Sequence, residues 1–366
     1  MAGIGSRGYR VREWIVEQIT QGRLQPGDRL PTERELATLL GISALTVHRA
    51  LRYLAQEGLV QRRRRWGTIL AQMPPELRSP ARPPQILLLT SKSMGDIEGD
   101  FYLGSLYQGI QQAQREHPLL LRWLTYETCH FQPETAAYDF QGVLAIAPPL
   151  PYLRLLKGLQ RHLPVLVLGA DASAWGIPSV DSDNQQGMRD AVRLLWELGH
   201  RRFVGLFADQ NALNTLDRQR AFVGELTRHG IPDADIWLFL SQDTFHLDPS
   251  VSDALRVLLT LPAERRPTAI VGGGFYLAMA ALQVASEMRL AVPGALSITG
   301  FDDPPSAALT VPPLTTLRQP LKQMGAAAFA TLWDLIQGRP PSELCIKLPM
   351  ELVQRQTTAP YTSEGG

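Results

Sequence analysis

The chain has 366 residues, 45% apolar and 19% charged, which at roughly 150 residues per domain makes two or three compact units and excludes a disordered protein. Its formal charge of +1 hides a division: residues 1–84 hold 14 Arg, no Lys and 7 acids (+7), and the remainder 22 basic against 28 acidic residues (−6), two electrostatic bodies on one chain. The two cysteines, Cys129 and Cys345, lack metal or redox spacing and suit a reducing cytoplasm, and neither an export signal nor the ~18 uncharged apolar residues of a membrane span is legible.

In chain order, Val11, Trp14, Ile15 and Ile19 share one face of a first helix that stops near Gly22. After a turn over 25–31, Thr32 and Glu35 have the reciprocal spacing of a capping box and open a second helix ended by Gly41. Ser43 caps a third, with Val47, Ala50, Leu51 and Leu54 as its buried stripe and Gly58 as its stop. Two short helices joined by a Gly-containing turn predict a helix-turn-helix. Residues 59–61 and 68–70 then pair as a wing around Arg62-Arg63-Arg64-Arg65-Trp66-Gly67. Four successive guanidinium groups at a hairpin tip repel one another unless a polyanion is close, and DNA phosphate supplies that counter-charge. Residues 71–84 carry five prolines and read as a semi-rigid spacer.

Beyond the spacer, short runs apolar on both faces (85–90, 142–147, 164–168, 203–207, 268–271, 296–301) alternate with amphipathic stretches such as 187–198 and 276–288. This predicts an α/β class with parallel sheets covered by helices. The pattern alone fits a dinucleotide-binding enzyme or a two-lobed binding protein. No Gly-x-Gly-x-x-Gly opens a helix, Gly272-Gly273-Gly274 has the wrong spacing, and no phosphate loop or Gly-x-Ser-x-Gly elbow occurs. The seven His form no metal-ligand pair at helical spacing, and Lys92, Lys157, Lys322 and Lys347 lie in no Schiff-base setting. No catalytic residue, cofactor or metal is expected.

The run 30–37 (LPTERELA), with Gly41-Ile42-Ser43, Thr46-Val47, Ala50-Leu51, Leu54, residues 57–60 and Gly67-Thr68, resembles the GntR-family winged helix-turn-helix over about residues 9–71. The resemblance implies that Arg34 contacts DNA, that the third helix enters the major groove, and that the wing tip reaches the minor groove. DNA contacts are therefore expected from Arg34, Ser43, Leu45, Thr46, His48, Arg49, Arg62, Arg63, Arg64, Arg65 and Gly67. Departures are Ala44 after the Ser, where an Arg is usual, His48, where another Arg is common, and Arg65 with Trp66 in place of the first wing glycine. Base readout then rests on Leu45, Thr46, His48 and Arg49: Leu45 and Ala44 can meet thymine methyls, and Arg49 or His48 guanine acceptors.

Residues 296–303 (LSITGFDD) and 312–320, with 180–184 and Gly187, 198–202, Arg218 with Ala221-Phe222, and 348–358, resemble the effector domain of LacI-type repressors and their periplasmic sugar-binding relatives. This implies a type I periplasmic-binding-protein-like fold of two α/β lobes, crossed near 178–182, 300–304 and 318–322, with a small molecule in the cleft. A GntR head on such a domain is the organisation of the arabinose-repressor subgroup, which residues 99–110 also resemble. The expected organisation is a winged unit over 1–71, a linker over 72–84, and an effector-binding and dimerisation domain over 85–358. The Asn-Asp pair that accepts sugar hydroxyls in such members is Gly274-Phe275 here, and Gly169 stands where some have Asp. Arg218 matches the cleft arginine and Phe245 the stacking aromatic; Asp100, Tyr102, Asp183 and Phe275 complete the cleft candidates, while Asp302 and Asp303 can brace a crossing. The expected protein is a homodimeric, ligand-responsive repressor of operator DNA, released by a sugar or by a sugar-derived or anionic metabolite. A solute receptor, or a GntR-type regulator with an enzyme-like domain, is the alternative.

Overall fold

A computed structural model describes residues 6–21, 23–63, 67–73, 84–93, 95, 99–117, 119–128, 140–208, 211–242 and 244–362. Most of the expected linker, together with Arg64 and Arg65, lies outside the described residues. The chain divides into two compact units, Met1–Arg82 and Pro83–Gly366.

The first unit contains α1 (Ser6–Thr20), α2 (Glu33–Leu40), α3 (Ala44–Gln56), β1 (Val60–Arg63) and β2 (Gly67–Leu70). Its elements follow from local chemistry. Thr32 N donates to Glu35 Oε2 at 2.7 Å and Glu35 N to Thr32 Oγ1 at 3.3 Å, closing the capping box. The bond from Thr32 N, the larger cause, and the Thr32 hydroxyl hold the Glu35 carboxyl below its ordinary range. Gly41 ends α2 in the left-handed conformation, φ 62°. The apolar stripes of the three helices meet at Val11, Ile15, Leu36, Val47, Leu51 and Leu54, with Leu70 of the wing, all fully buried. β1 and β2 pair antiparallel, Arg62 opposite Thr68. A third, one-residue rung that the sequence reading lacked joins Arg29 to Ile69, with Leu30 N donating to Thr68 O at 2.9 Å.

The second unit runs β3 (Gln85–Thr90), α4 (Phe101–Gln114), β4 (Leu120–Thr125), β5 (Gly142–Ile146), α5 (Leu153–Leu159), β6 (Val165–Leu168), β7 (Ser179–Ser182), α6 (Asn184–Glu197), β8 (Phe203–Ala208), α7 (Leu213–Arg228), β9 (Ile236–Ser241), α8 (Pro249–Leu259), β10 (Ala269–Gly272), α9 (Phe275–Glu287), β11 (Ser297–Phe301), β12 (Thr315–Arg318), α10 (Leu321–Ile336), β13 (Cys345–Leu348) and β14 (Glu351–Val353). Two six-stranded sheets result, ordered β13-β7-β6-β5-β3-β4 and β14-β12-β11-β10-β8-β9. All pairs are parallel except β12 with β14. Along β3, Ile86 and Leu88 enter one apolar cluster and Leu87 and Leu89 another, so the run is apolar throughout because both faces are covered.

Topology corrects the expected crossings. Residues 179–182 form β7 of the first sheet, and the chain leaves only at Asp183, since α6 packs on α7 and the second sheet. It returns at 319–320, as expected, because α10 packs on α4. The third crossing is at 349–350, between β13 and β14, and not at 300–304, where β11 leads to β12 of the same sheet. Asp302 lies beside a crossing without being one, taking a bond from Gln319 Nε2 at 2.6 Å.

His200 is a structural fastener. Its Nδ1 lies 3.0 Å from Thr268 Oγ1, and its Nε2 2.9 Å from Ser297 Oγ and 3.2 Å from the Ala359 carbonyl oxygen, tying the C-terminal segment to the second sheet. Burial lowers its pKa to about 4 from the ordinary 6.5. The folded state then stays neutral where the unfolded chain takes up a proton, so this stability is complete above pH 6.5 and is lost as pH falls toward 4, at up to about 1.4 kcal/mol per unit. The stability difference between wild type and His200→Asn, followed by thermal melts, is expected to shrink across that window; a constant difference would contradict the assignment.

Candidate functional site

In the winged unit, Arg34 on α2 and Leu45 and Arg49 on α3 are exposed, Leu45 at 59%. Ser43 and Thr46 are engaged with each other: Thr46 N donates to Ser43 Oγ at 3.1 Å and the two hydroxyls lie 2.7 Å apart. Their primary work is therefore the cap of α3. His48 and Arg62 both meet Glu33, which the sequence reading did not select; His48 Nδ1 lies 3.1 Å from each carboxylate oxygen and Arg62 contacts the same group. Arg63 pairs with Gly67 across the wing. Gly67 has φ +88°, and a Cβ there would stand 3.0 Å from Arg29 Nε, so the Arg29 side chain runs along β2 toward the tip end of the wing.

The second unit holds a cavity of about 350 Å³ between its two sheets. Asp100, Tyr102, Arg218, Phe245 and Phe275 all line it; Asp183 does not. Asp183 is instead spent as the N-cap of α6, its Oδ1 accepting from Gln186 N at 2.9 Å. Arg218 projects from α7 and is 7% exposed. Its Nε donates to Asn184 Oδ1 at 2.7 Å, a terminal nitrogen donates to Gly273 O at 2.9 Å, and the guanidinium lies 3.6 Å from the Phe301 ring centroid. Among the described residues, two of its five N–H donors are used. Asn184 in turn donates to Asp181 Oδ2 at 2.8 Å. Burial pushes the Asp181 carboxyl up to about 7 and also raises that of Asp302. Asp302, on the cavity wall, is joined through Gln319 to Ser182 Oγ at 2.6 Å, so the floor spans a crossing.

Tyr102 and Gly169 explain each other. Gly169 has φ +82°, and a Cβ on it would lie 2.2 Å from the Tyr102 hydroxyl oxygen, so a side chain at 169 is excluded by the tyrosine. That hydroxyl is buried without a hydrogen-bond partner among the described residues, and burial raises its pKa, leaving a protonated group available at the cavity wall. Phe245 has other aromatic and cationic neighbours at the cavity wall. Lys92 Nζ stands over its ring, 4.6 Å from the centroid, and the Tyr276 ring is 5.1 Å away in a tilted pair. Lys92 also pairs with Asp100 Oδ2 at 2.6 Å, while Asp100 Oδ1 caps α4 by accepting from Leu103 N at 2.9 Å. Lys92 and Phe245 thus meet at the cavity mouth from opposite lobes.

The family model of the gntR-family bacterial regulatory proteins matches residues 8–70, and that of the periplasmic binding protein-like domain matches residues 192–358. These matches support a GntR helix-turn-helix domain followed by a periplasmic-binding-protein-like domain. It is similar to the arabinose metabolism transcriptional repressor of Geobacillus stearothermophilus, 28% identical over 95% of this chain and 96% of that protein. Among solved structures, a LacI family transcriptional regulator from Bifidobacterium animalis matches with TM-score 0.64 and 24% identity over 76% of this chain and 98% of that one. A LacI family regulator from Enterococcus faecium with bound ribose matches with TM-score 0.62 and 21% identity over 76% and 100%. These structures share the fold of the periplasmic-binding-protein-like domain.

Within that domain the residues missed from sequence were Lys92 and Tyr276. Nothing local in the sequence marks either residue, because the cavity is assembled from β3, α4, α7 and α9 together. Asp303 braces rather than binds: its Oδ2 accepts from Arg318 at 2.6 Å and from Arg355 at 3.0 Å. In the GntR-family domain the missed residues were Glu33 and Arg29.

Proposed function

We propose that this protein is a ligand-responsive transcriptional repressor, acting in the cytoplasm as a homodimer on a palindromic operator, and that a sugar or sugar-derived effector in the cleft releases it. The observation that carries the reading is the buried Arg218, held on a cavity wall with donors to spare. The carboxylate acceptor missing at Gly274-Phe275 has a substitute on the same wall in Asp302. A buried cation beside a carboxyl suits vicinal hydroxyls, which accept from the one and donate to the other. Phe275 and Tyr276 supply the apolar surface for a sugar ring's C–H face. An anionic metabolite, which the Arg218 guanidinium also suits, is the alternative effector in this reading. Arg34, Leu45, Thr46 and Arg49 carry the DNA contacts in this reading, with the arginine wing on the phosphates, and two heads on one palindrome combine their contacts.

Coupling between the sites is reciprocal. Isothermal titration of the sugar that most raises the melting temperature, with and without an operator duplex, is expected to show effector affinity lowered roughly 5–150-fold by DNA. Equal affinity in the two titrations excludes the linkage. If about six phosphates are neutralised per dimer, operator affinity falls with salt on a log–log slope of about −5.

A further inference from the structure

The cavity of the second unit changes character with depth. Its floor is polar and buried: Arg218 and Gln319 are each 7% exposed, and Gln319 joins Asp302 to Ser182. Its mouth is aromatic and open. Phe101, the first residue of α4, is 38% exposed, and Phe245, in the segment after β9, is 42% exposed; both line the cavity, one from each lobe. Exposed rings that share one concave opening, rather than being scattered over the surface, mark a surface that a ligand covers. Lys92 reaches across the same opening, its Nζ 4.6 Å from the Phe245 ring centroid and 2.6 Å from Asp100 Oδ2.

Floor and mouth ask different things of a ligand. One sugar ring satisfies the floor, its hydroxyls meeting Arg218 and Asp302 and its C–H face Phe275 and Tyr276. That ring leaves the mouth uncovered, although the cavity, at about 350 Å³, lies in the range that encloses drug-sized ligands. Phe101 and Phe245 are covered by a second ring with an apolar face, the kind of surface that aromatic side chains stack upon. The charges there select a neutral ring: the Lys92 ammonium is already paired with the Asp100 carboxylate, so the mouth offers no net positive charge to a phosphate. We infer that the effector is a glycoside, a sugar whose anomeric carbon carries a second, uncharged ring, with the sugar on the polar floor and the second ring against Phe101 and Phe245. Seated there, the second ring touches both lobes, whether it is another sugar, an aryl group or a heterocyclic base. The inference rests on the sugar reading above and narrows it.

The test is isothermal titration of the full-length protein with matched sets built on arabinose, ribose and glucose: the free sugar, its methyl and p-nitrophenyl glycosides in both anomers, a disaccharide or nucleoside that contains it, and its phosphate. For the sugar that binds, a two-ring form is expected to bind about tenfold tighter than the free sugar, the worth of two aromatic contacts. The methyl glycoside shows no such gain, and the form that gains most identifies the second ring. Phe101→Ala, at an exposed position, is expected to cut the advantage of the two-ring form roughly 2–13-fold. Its affinity for the free sugar stays within about twofold of wild type, and Phe101→Trp, which keeps a stacking face, retains the advantage. A free sugar that binds as tightly as all its two-ring forms, a phosphate that binds tighter than they do, or equal losses for free sugar and glycoside in Phe101→Ala overturns this inference and leaves the sugar reading standing. If no form of any sugar binds, that reading fails and this inference with it.

Discussion

Arg218→Lys protein is expected to stay on its operator at effector concentrations that strip the wild type from it. The lysine keeps a positive charge but has a single nitrogen, and it cannot reproduce the Nε bond to Asn184 and the second bond to Gly273 O while still facing the cavity. Losing one charge-assisted bond to the effector costs about 1.5–3 kcal/mol, which is roughly a 10–150-fold loss of effector affinity. Operator affinity without effector should change by less than about twofold, because the substitution touches no DNA contact. The conservative variant is the informative one. Arg218→Ala would strip the counter-charge from the buried Asp181 and Asp302, and breaking a buried charge network costs on the order of 3–5 kcal/mol, so lost binding could not be separated from lost structure. Titration of both proteins with the same sugar decides the matter, and unchanged affinity in Arg218→Lys would remove the arginine from the effector site.

The largest stability effect is expected from Gly325→Val. Helices α4 and α10 cross so closely that a Cβ on Gly325 would lie 2.1 Å from the Leu106 carbonyl oxygen, and one on Gly109 would lie 2.0 Å from that of Lys322. Both obstacles are backbone within helices, so neither can swing aside, and relief requires separating two helices that cover the first sheet through Leu106, Ile110, Met324 and Ala328. Overpacking typically costs 1–3 kcal/mol where side chains yield; with backbone in the way, Gly325→Val should cost about 3 kcal/mol or more and lower the melting temperature by roughly 6–12 °C. Gly224→Ala is the control. No atom beyond its own stretch of helix lies within 4 Å of its added Cβ, it sits within α7, and relief of glycine's helix penalty should stabilise by up to about 1 kcal/mol. If the two variants melt together, the close crossing is not a constraint on the fold.

The winged unit was legible almost residue by residue. Thr32 with Glu35, Ser43, Gly41 and Gly58 mark helix ends through contacts three to five residues apart, and the stripe Val47, Ala50, Leu51 and Leu54 states its own period. The apolar strands of the large unit were legible for the same reason, since burial on both faces demands an unbroken run. Strands β4, β9, β13 and β14 were missed because they are half-buried, with polar or exposed positions that break the run, and β7 and β12 because their buried residues include Ser179, Asp181 and Ser182 in the one and Thr315 and Thr316 in the other.

By itself, then, the sequence determined the helices and wing of the head, the fully apolar strands of the large unit, the cationic character of the head, and the residue types offered to a ligand. Only the tertiary structure decided which of those residues act together. Arg218 finds Asn184 across 34 residues and Gly273 across 55, and Glu33 meets His48 across 15 and Arg62 across 29. The physical reason is one of range: caps and amphipathic periods are set by neighbours within a turn or two of chain, whereas the partner of a buried charge is whichever group the packing of distant elements brings within 3 Å.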